Sequence, residues 1–193
     1  MSSNGQRPDL QAIIDIVTPQ SRVLDLGCGD GELLALLVST RQVRARGVEI
    51  SEVLVRNAIT RGLSVRQGNI EEGLADYTDS IFDYVVLSQT ISFLNRPGPT
   101  FREMLRVGKM VIVSFDNAGY WRTRWQMLTG KGFGEPVTSG EPRERAITLP
   151  QFEQFVKDAD AVVEQRVLVR NQRRVVYLPH LMSRTAVYVL RKR

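Results

Sequence analysis

Leu10, Ile13, Ile14 and Val17 recur at the spacing of one helical face, behind Pro8 and Asp9, which suit a first turn. The period then changes. After a turn at Thr18–Ser21, Arg22–Leu26 reads as a short strand that runs through a glycine-rich loop into a helix carrying Leu33, Leu34, Leu36 and Leu37. Val43–Ile50 reads as a second strand with an acidic residue at its end. Ser51 is placed to cap a helix over Glu52–Arg61, and Gly62 to stop it. Leu63–Gln67 predicts a third strand, followed by the loop Gly68–Asp79. Phe82–Ser88, rich in Val and aromatics, has the composition of a parallel strand buried on both faces. A helix around Thr100–Val107 and a strand over Met110–Phe115 complete this series.

The rhythm breaks at Asn117–Ala146, where Trp121, Trp125, five glycines and two prolines predict an irregular excursion, loop-like over Gly130–Gly140. It returns at Thr148-Leu149-Pro150-Gln151, a capping box opening a helix with Phe152, Phe155 and Val156 on one side. Val162–Val169 and Thr185–Leu190 read as the last strands. Alternating strands and helices predict an α/β fold: a Rossmann-like, doubly wound, mostly parallel sheet of seven strands, with helices on both faces and the last strand pair antiparallel. Residues 1–193 are expected to form a single domain.

Composition narrows the picture without redirecting it. At 42% hydrophobic and 24% charged, the chain has the balance of a soluble globular protein. No apolar run nears the ~20 residues that span a bilayer, and Met1–Pro8 lacks the apolar segment of an export signal, so a cytoplasmic location is expected. One Cys and one His make a structural zinc site unexpected. Charge is uneven: Arg166–Arg193 holds eight of the 26 basic residues and no acidic one. Such a segment suits solvated sheet edges, and equally an acidic partner or nucleic acid.

The sharpest chemical signal is Val23-Leu24-Asp25-Leu26-Gly27-Cys28-Gly29-Asp30-Gly31, a strand entering a Gly-x-Gly-x-Gly turn and then a helix. Glycines let the backbone turn sharply and let a ligand approach without a Cβ in the way, and helix-terminal N–H groups then face that ligand. A dinucleotide site wants its third glycine one position later, where this chain has Glu32. Asp25 and Asp30 suit a ligand with a cationic amino-acid portion better than a pyrophosphate. Glu49, at the tip of the second strand, is placed to accept from two ribose hydroxyls. Gly68-Asn69-Ile70 follows the third strand. Asn69 could read an adenine amino group, with Ile50 and Ile70 sandwiching the ring, or it could be a turn residue.

The chain resembles class I S-adenosylmethionine (SAM)-dependent methyltransferases, and among them the MetW family of methionine-biosynthesis proteins. The resembling stretches are Arg7-Pro8-Asp9-Leu10, Ser21–Glu32, Gly47-Val48-Glu49-Ile50, Gly73-Leu74-Ala75-Asp76, Phe82–Thr90 and Glu103–Gly108. The resemblance implies that Asp25, Gly27, Gly29 and Gly31 line the methionine end of SAM, with Cys28 and Asp30 among the cofactor-binding residues. It implies that Glu49 holds the ribose, that Asn69 and Ile70 lie at the adenine, and that Ser88 and Gln89 close the pocket, with Ile50 also among the cofactor-binding residues. Asn69 stands where the superfamily usually has Asp, and Thr138–Ala146 lacks the aromatic and His-containing pattern associated with MetW.

On the acceptor side, Gln89, Asn117, Tyr120 and Trp121 follow the fourth and fifth strands, at the edge where open α/β sheets bind ligands. Ser114-Phe115-Asp116-Asn117 is not the motif of methyltransferases acting on planar amines. His180 is expected in a hairpin between the last strands, and Cys28 as a small buried filler. Trp121 and Trp125, four apart, share a helical face as a lid, a partner patch or local packing. Two functions stand: methyl transfer to a small molecule, or a non-catalytic SAM-binding accessory protein that docks on a homoserine acyltransferase. Nucleic-acid methylation ranks last, resting only on the basic C-terminal portion.

Overall fold

The computed structural model describes residues 7–129, 145–171 and 173–193. Five strands and four helices come first along the chain: α1 (Pro8–Ile16), β1 (Arg22–Leu26), α2 (Glu32–Arg41), β2 (Arg44–Glu49), α3 (Glu52–Thr60), β3 (Val65–Gln67), β4 (Phe82–Ser88), α4 (Pro97–Val107) and β5 (Gly108–Asp116). After them come α5 (Trp121–Leu128), α6 (Leu149–Asp158), β6 (Ala161–Arg170), β7 (Arg173–Arg174), α7 (Pro179–Met182) and β8 (Thr185–Lys192). The strands form one sheet in the order β3-β2-β1-β4-β5-β8-β6-β7. β1 to β5 are parallel; β8 enters antiparallel between β5 and β6.

This is the doubly wound α/β architecture that the alternation predicts, with one addition. The sheet has eight strands rather than seven, because the two residues Arg173–Arg174 pair with the end of β6 as an edge strand. So short a strand has no period to read. Within the stretch read as irregular, Trp121–Leu128 is helical; the loop expected over Gly130–Gly140 lies outside the described residues. His180 sits in α7 rather than in a hairpin. No helix among the described residues is long and apolar enough to cross a membrane.

Strand alternation divides the core between the two faces. Val23, Val86, Ile112, Val187 and Val189 point to the side covered by Leu10, Ile13 and Ile14 of α1 and Leu33 and Leu37 of α2. Their neighbours Leu24, Val85, Leu87, Val111, Val113 and Tyr188 point to the side covered by Phe101 and Met104 of α4 and Phe152 and Val156 of α6. The central strands are apolar at nearly every position because both faces are covered. Ser51 caps α3 by accepting from the Leu54 N–H, and Thr148 and Gln151 form the full capping box of α6.

The strand order places β1 beside β4, with β2 and β3 running out one way and β5 the other. Connections after β1 and β4 therefore diverge, opening a crevice at the carboxyl ends of these strands. The glycine turn lies at that crevice.

Candidate functional site

The turn after β1 is held from below by β2: the Gly27 and Cys28 N–H groups both donate to the Val48 carbonyl, at 2.8 and 3.2 Å. Gly31 opens α2 with a left-handed backbone, φ +83°, and a Cβ there would drive into the Leu63 side chain. Gly29, at φ +58°, has nothing within 4 Å of where its Cβ would stand, so this backbone faces open space. The two glycines thus answer different demands, close packing beneath and free approach above.

Glu49 is buried at the tip of β2 and bridges the crevice. One carboxylate oxygen accepts from the Gly29 N–H and the other from the Ser51 N–H, each at 2.9 Å. A carboxylate accepts about four hydrogen bonds, so each oxygen keeps capacity for a further donor. Asp25, at the floor, is 2% exposed, and its Oδ1 has no hydrogen-bond partner among the described residues. Burial pushes its carboxyl up to about 7; the neighbouring Asp9 and Glu49 charges add to the rise and Arg7 opposes it. An unpaired buried carboxyl is costly, and a perturbed acid in a crevice is a candidate ligand group.

Beside it lies a buried polar cluster. Asp9 of α1 is fully buried, and its Oδ2 accepts from Ser88 at 2.7 Å, Ser114 at 2.6 Å and Arg7 at 2.9 Å. Arg7 also donates to Ser88 and lies within electrostatic reach of Asp25 and Glu32. Burial alone would raise the Asp9 carboxyl, but Arg7 and the two hydroxyls hold it below the usual carboxylate value. The cluster ties α1 across the ends of β4 and β5 and brings a guanidinium to the methionine end of the expected pocket. Sequence reasoning missed Arg7, Asp9 and Ser114 as site residues. The available signal was Asp9 itself, four residues before Ile13 and so on the apolar stripe of α1.

The remaining expected residues divide. Gln89 follows β4 with a left-handed backbone, φ +57°, its N–H donating to the Ser114 carbonyl at 3.0 Å; such strain in a non-glycine residue often accompanies function. Ser88 borders the crevice, but its hydroxyl donates to Asp9. Asp30 pairs with Arg61 at 2.8 Å at the surface, which attaches the turn to α3. Ile50 is exposed, whereas Ile70 packs into the core. Asn69 accepts from the Glu71 N–H at 3.0 Å, the turn role the sequence left open. Cys28 is buried against Gly47, and burial, with the charges of Asp25 and Glu49, pushes its thiol up to about 12, so it is an inert filler.

Of the acceptor-side candidates, Asn117 is engaged within the fold. Asn117 is buried; its Nδ2 donates to the carbonyls of His180 at 3.1 Å and Ser183 at 3.0 Å, and its Oδ1 accepts from the Gly119 N–H at 2.9 Å. Asn117 therefore joins α7 to the start of α5 instead of facing a substrate. The Tyr120 ring is buried under Arg170, whose guanidinium lies 5.9 Å from it; Trp121 is part-exposed.

A strand–Gly-x-Gly-x-Gly–helix turn at the switch point of a 3-2-1-4-5 sheet, with an antiparallel strand beside β5, defines the class I SAM-dependent methyltransferase fold. Solved structures agree. A SAM-dependent methyltransferase of Thermotoga maritima, described as a possible histamine N-methyltransferase, superposes with TM-score 0.72 at 21% identity, over 96% of this chain and 88% of that one. One from Methanosarcina mazei gives TM-score 0.72 at 16% identity over 94% and 96%. The cyclase SpnF gives 0.69 at 16% over 96% and 81%.

Within that class the chain belongs to the family of the Methionine biosynthesis protein MetW, which matches residues 7–190. The bifunctional methionine biosynthesis protein MetXA/MetW of Rhodopirellula baltica is 31% identical over 176 residues, covering 82% of this chain. The matched region spans 28% of the length of that relative.

Proposed function

We propose that this chain binds SAM in the crevice between β1 and β4 and acts as a SAM-responsive accessory protein of a homoserine acyltransferase. The observation that carries the ligand half is the buried Asp25 Oδ1, left without a partner among the described residues, beside the open backbone of Gly29. SAM fits this donor set. Asp25 would take the ammonium of its methionine portion, Arg7 would stand toward its carboxylate, and Glu49 would accept from the ribose hydroxyls while keeping the Gly29 and Ser51 N–H groups. Gln89 and the backbone of Gly27–Gly31 would border the ligand, with Asn69 and Ile50 toward its adenine end. When bound, SAM supplies a sulfonium; this chain's residues bind and orient it.

The accessory half is supported by the Rhodopirellula relative, whose name joins a MetX part, a homoserine acyltransferase, to a MetW part. It is also supported by Asn117 on the acceptor side, whose amide is engaged within the fold. The second reading is methyl transfer to a small molecule. In its favour, the similar solved structures include proteins described as SAM-dependent methyltransferases, and transfer from a sulfonium needs positioning more than a protein base.

Calorimetric titration of SAM into the wild type and Glu49→Ala tests the ligand half. The wild type is expected to bind and the variant to bind at least about tenfold more weakly, since a buried charged acceptor is lost. A folded wild type that takes up no SAM, alone or with the acyltransferase present, refutes it. Association with the acyltransferase tests the other half, and stable methylation of a metabolite by the isolated chain would overturn the accessory reading.

A further inference from the structure

The helix α5 is eight residues long and none of them is buried. Trp121, Trp125 and Leu128, at i, i+4 and i+7, form one apolar stripe, 42%, 64% and 82% exposed respectively. Helices this short gain most of their stability from packing an apolar face, and here that face meets solvent. A second apolar run, Val176, Tyr177 and Leu178, is 90%, 83% and 57% exposed. The chain just before the first segment is bonded to the chain just after the second. Asn117, four residues before Trp121, donates to the His180 and Ser183 carbonyls, and the Gly119 backbone lies against the His180 carbonyl. Leu178 holds a left-handed backbone, φ +42°, strain that a branched residue adopts only where its surroundings impose it.

The two segments themselves carry charge of one sign, and the exposed Asp116 just before the first accepts from Thr185. Residues 117–129 and 166–193 contain no Asp or Glu. Arg122 lies over the Trp121 ring at 5.8 Å and Arg170 over Tyr120. Arg170 and Arg173 stand directly opposite each other in the β6–β7 pair, a like-charge pairing that disfavours the edge on its own. An edge that sets two arginines face to face beside exposed Trp, Tyr and Leu suits a surface with carboxylates around an apolar centre. The face also lies at the carboxyl end of β5, the same edge of the sheet as the glycine turn after β1.

We infer that the α5 stripe together with Val176–Leu178 is the surface on which the homoserine acyltransferase docks, meeting an apolar patch rimmed with acidic side chains. This rests on the accessory reading above. The relative that carries MetXA and MetW in one name selects a protein occupant over a lipid surface or nucleic acid. Sharing one sheet edge with the SAM crevice gives ligand occupancy a short path to the partner.

The test measures association of the full chain with the homoserine acyltransferase of the same genome, with SAM present, for the wild type, the double variant Trp125→Glu/Leu128→Glu, and Tyr177→Glu. All three substituted side chains are exposed, and unchanged SAM titration and melting temperature verify that each variant is folded. The double variant is expected to weaken association at least about 100-fold and Tyr177→Glu at least about tenfold, in the range of interface anchors. Arg173→Glu is expected to slow association and flatten its salt dependence. A wild type that associates while the double variant associates equally well overturns the surface and leaves the accessory reading standing. A wild type that does not associate overturns the accessory reading itself. Loss in the variants of binding to phosphatidylglycerol vesicles or duplex DNA, with acyltransferase association intact, assigns the face to another occupant and overturns the inference.

Discussion

Asp25→Asn keeps the shape of the side chain at the crevice floor and removes its charge, and two effects of opposite sign should follow. Burial holds the Asp25 carboxyl at about 7, against an ordinary value of 3.8. Because the folded value lies above the unfolded one, ionisation costs the folded state stability. The cost is absent below about pH 4, grows as pH rises toward 7 and is complete above it. At ~1.4 kcal/mol per pH unit the interval sets a ceiling of about 4 kcal/mol. The substituted amide is still buried and short of partners, which takes back about 1–3 kcal/mol. The ligand-free variant should therefore gain about 1–3 kcal/mol at pH 8, a rise in Tm of about 2–12 °C for a chain of this size. Between pH 8 and pH 5 the advantage should fall by about 3 kcal/mol and become a small deficit, because the native carboxyl is then already protonated in the fold. SAM should raise the wild-type Tm and raise that of the variant far less. Thermal denaturation at both pH values, with and without SAM, reads all four quantities. A variant no more stable than the wild type at pH 8, or a gain independent of pH, would refute the account of Asp25 as a buried acid awaiting a cation. Unchanged stabilisation by SAM would refute its role toward the ammonium.

Other substitutions probe neighbouring parts of the crevice. Arg7→Gln should weaken SAM about tenfold or more while leaving 5′-methylthioadenosine, which lacks the amino-acid portion, within about twofold by calorimetry; equal losses for both would make Arg7 a prop for α1 alone. Gly31→Ala forces a Cβ toward Leu63 at a left-handed position and should cost at least about 1–2 kcal/mol in chemical denaturation, whereas a neutral result would mean that the turn relaxes. The Cys28 thiol, pushed up to about 12 by burial and the nearby carboxylates, should react with a disulfide reagent at pH 8 at least about 100-fold more slowly in the folded chain than in denaturant. Comparable rates would show that the turn opens.

Much of this protein is legible in its sequence because the relevant signals are local. A period of 3.6 marks α1 and α4, near-continuous apolar runs mark β4 and β5, and a Thr-x-x-Gln box opens α6. The Gly-x-Gly-x-Gly turn and the acidic tip of β2 follow from backbone sterics and from distances of a few residues, so Gly29, Gly31 and Glu49 were identifiable before any contact was known. The family resemblance carried by the same stretches holds for the chain from residue 7 to 190.

What tertiary structure alone decided is which side chain answers which. Asp9 reads as a helix-start acid until the sheet order brings Ser88 and Ser114, 79 and 105 positions away, onto its carboxylate. Asn117 reads as a substrate ligand until α7 returns 63 residues later and takes its amide. Ile70 reads as one wall of an adenine slot, and only the packing of α4 and its neighbours draws it into the core. Steric preference and periodicity act over one or two turns of chain and so are written locally. Hydrogen-bond partners and burial are set by the order in which strands pair, and that order brings together residues whose separation in sequence carries no sign of the meeting.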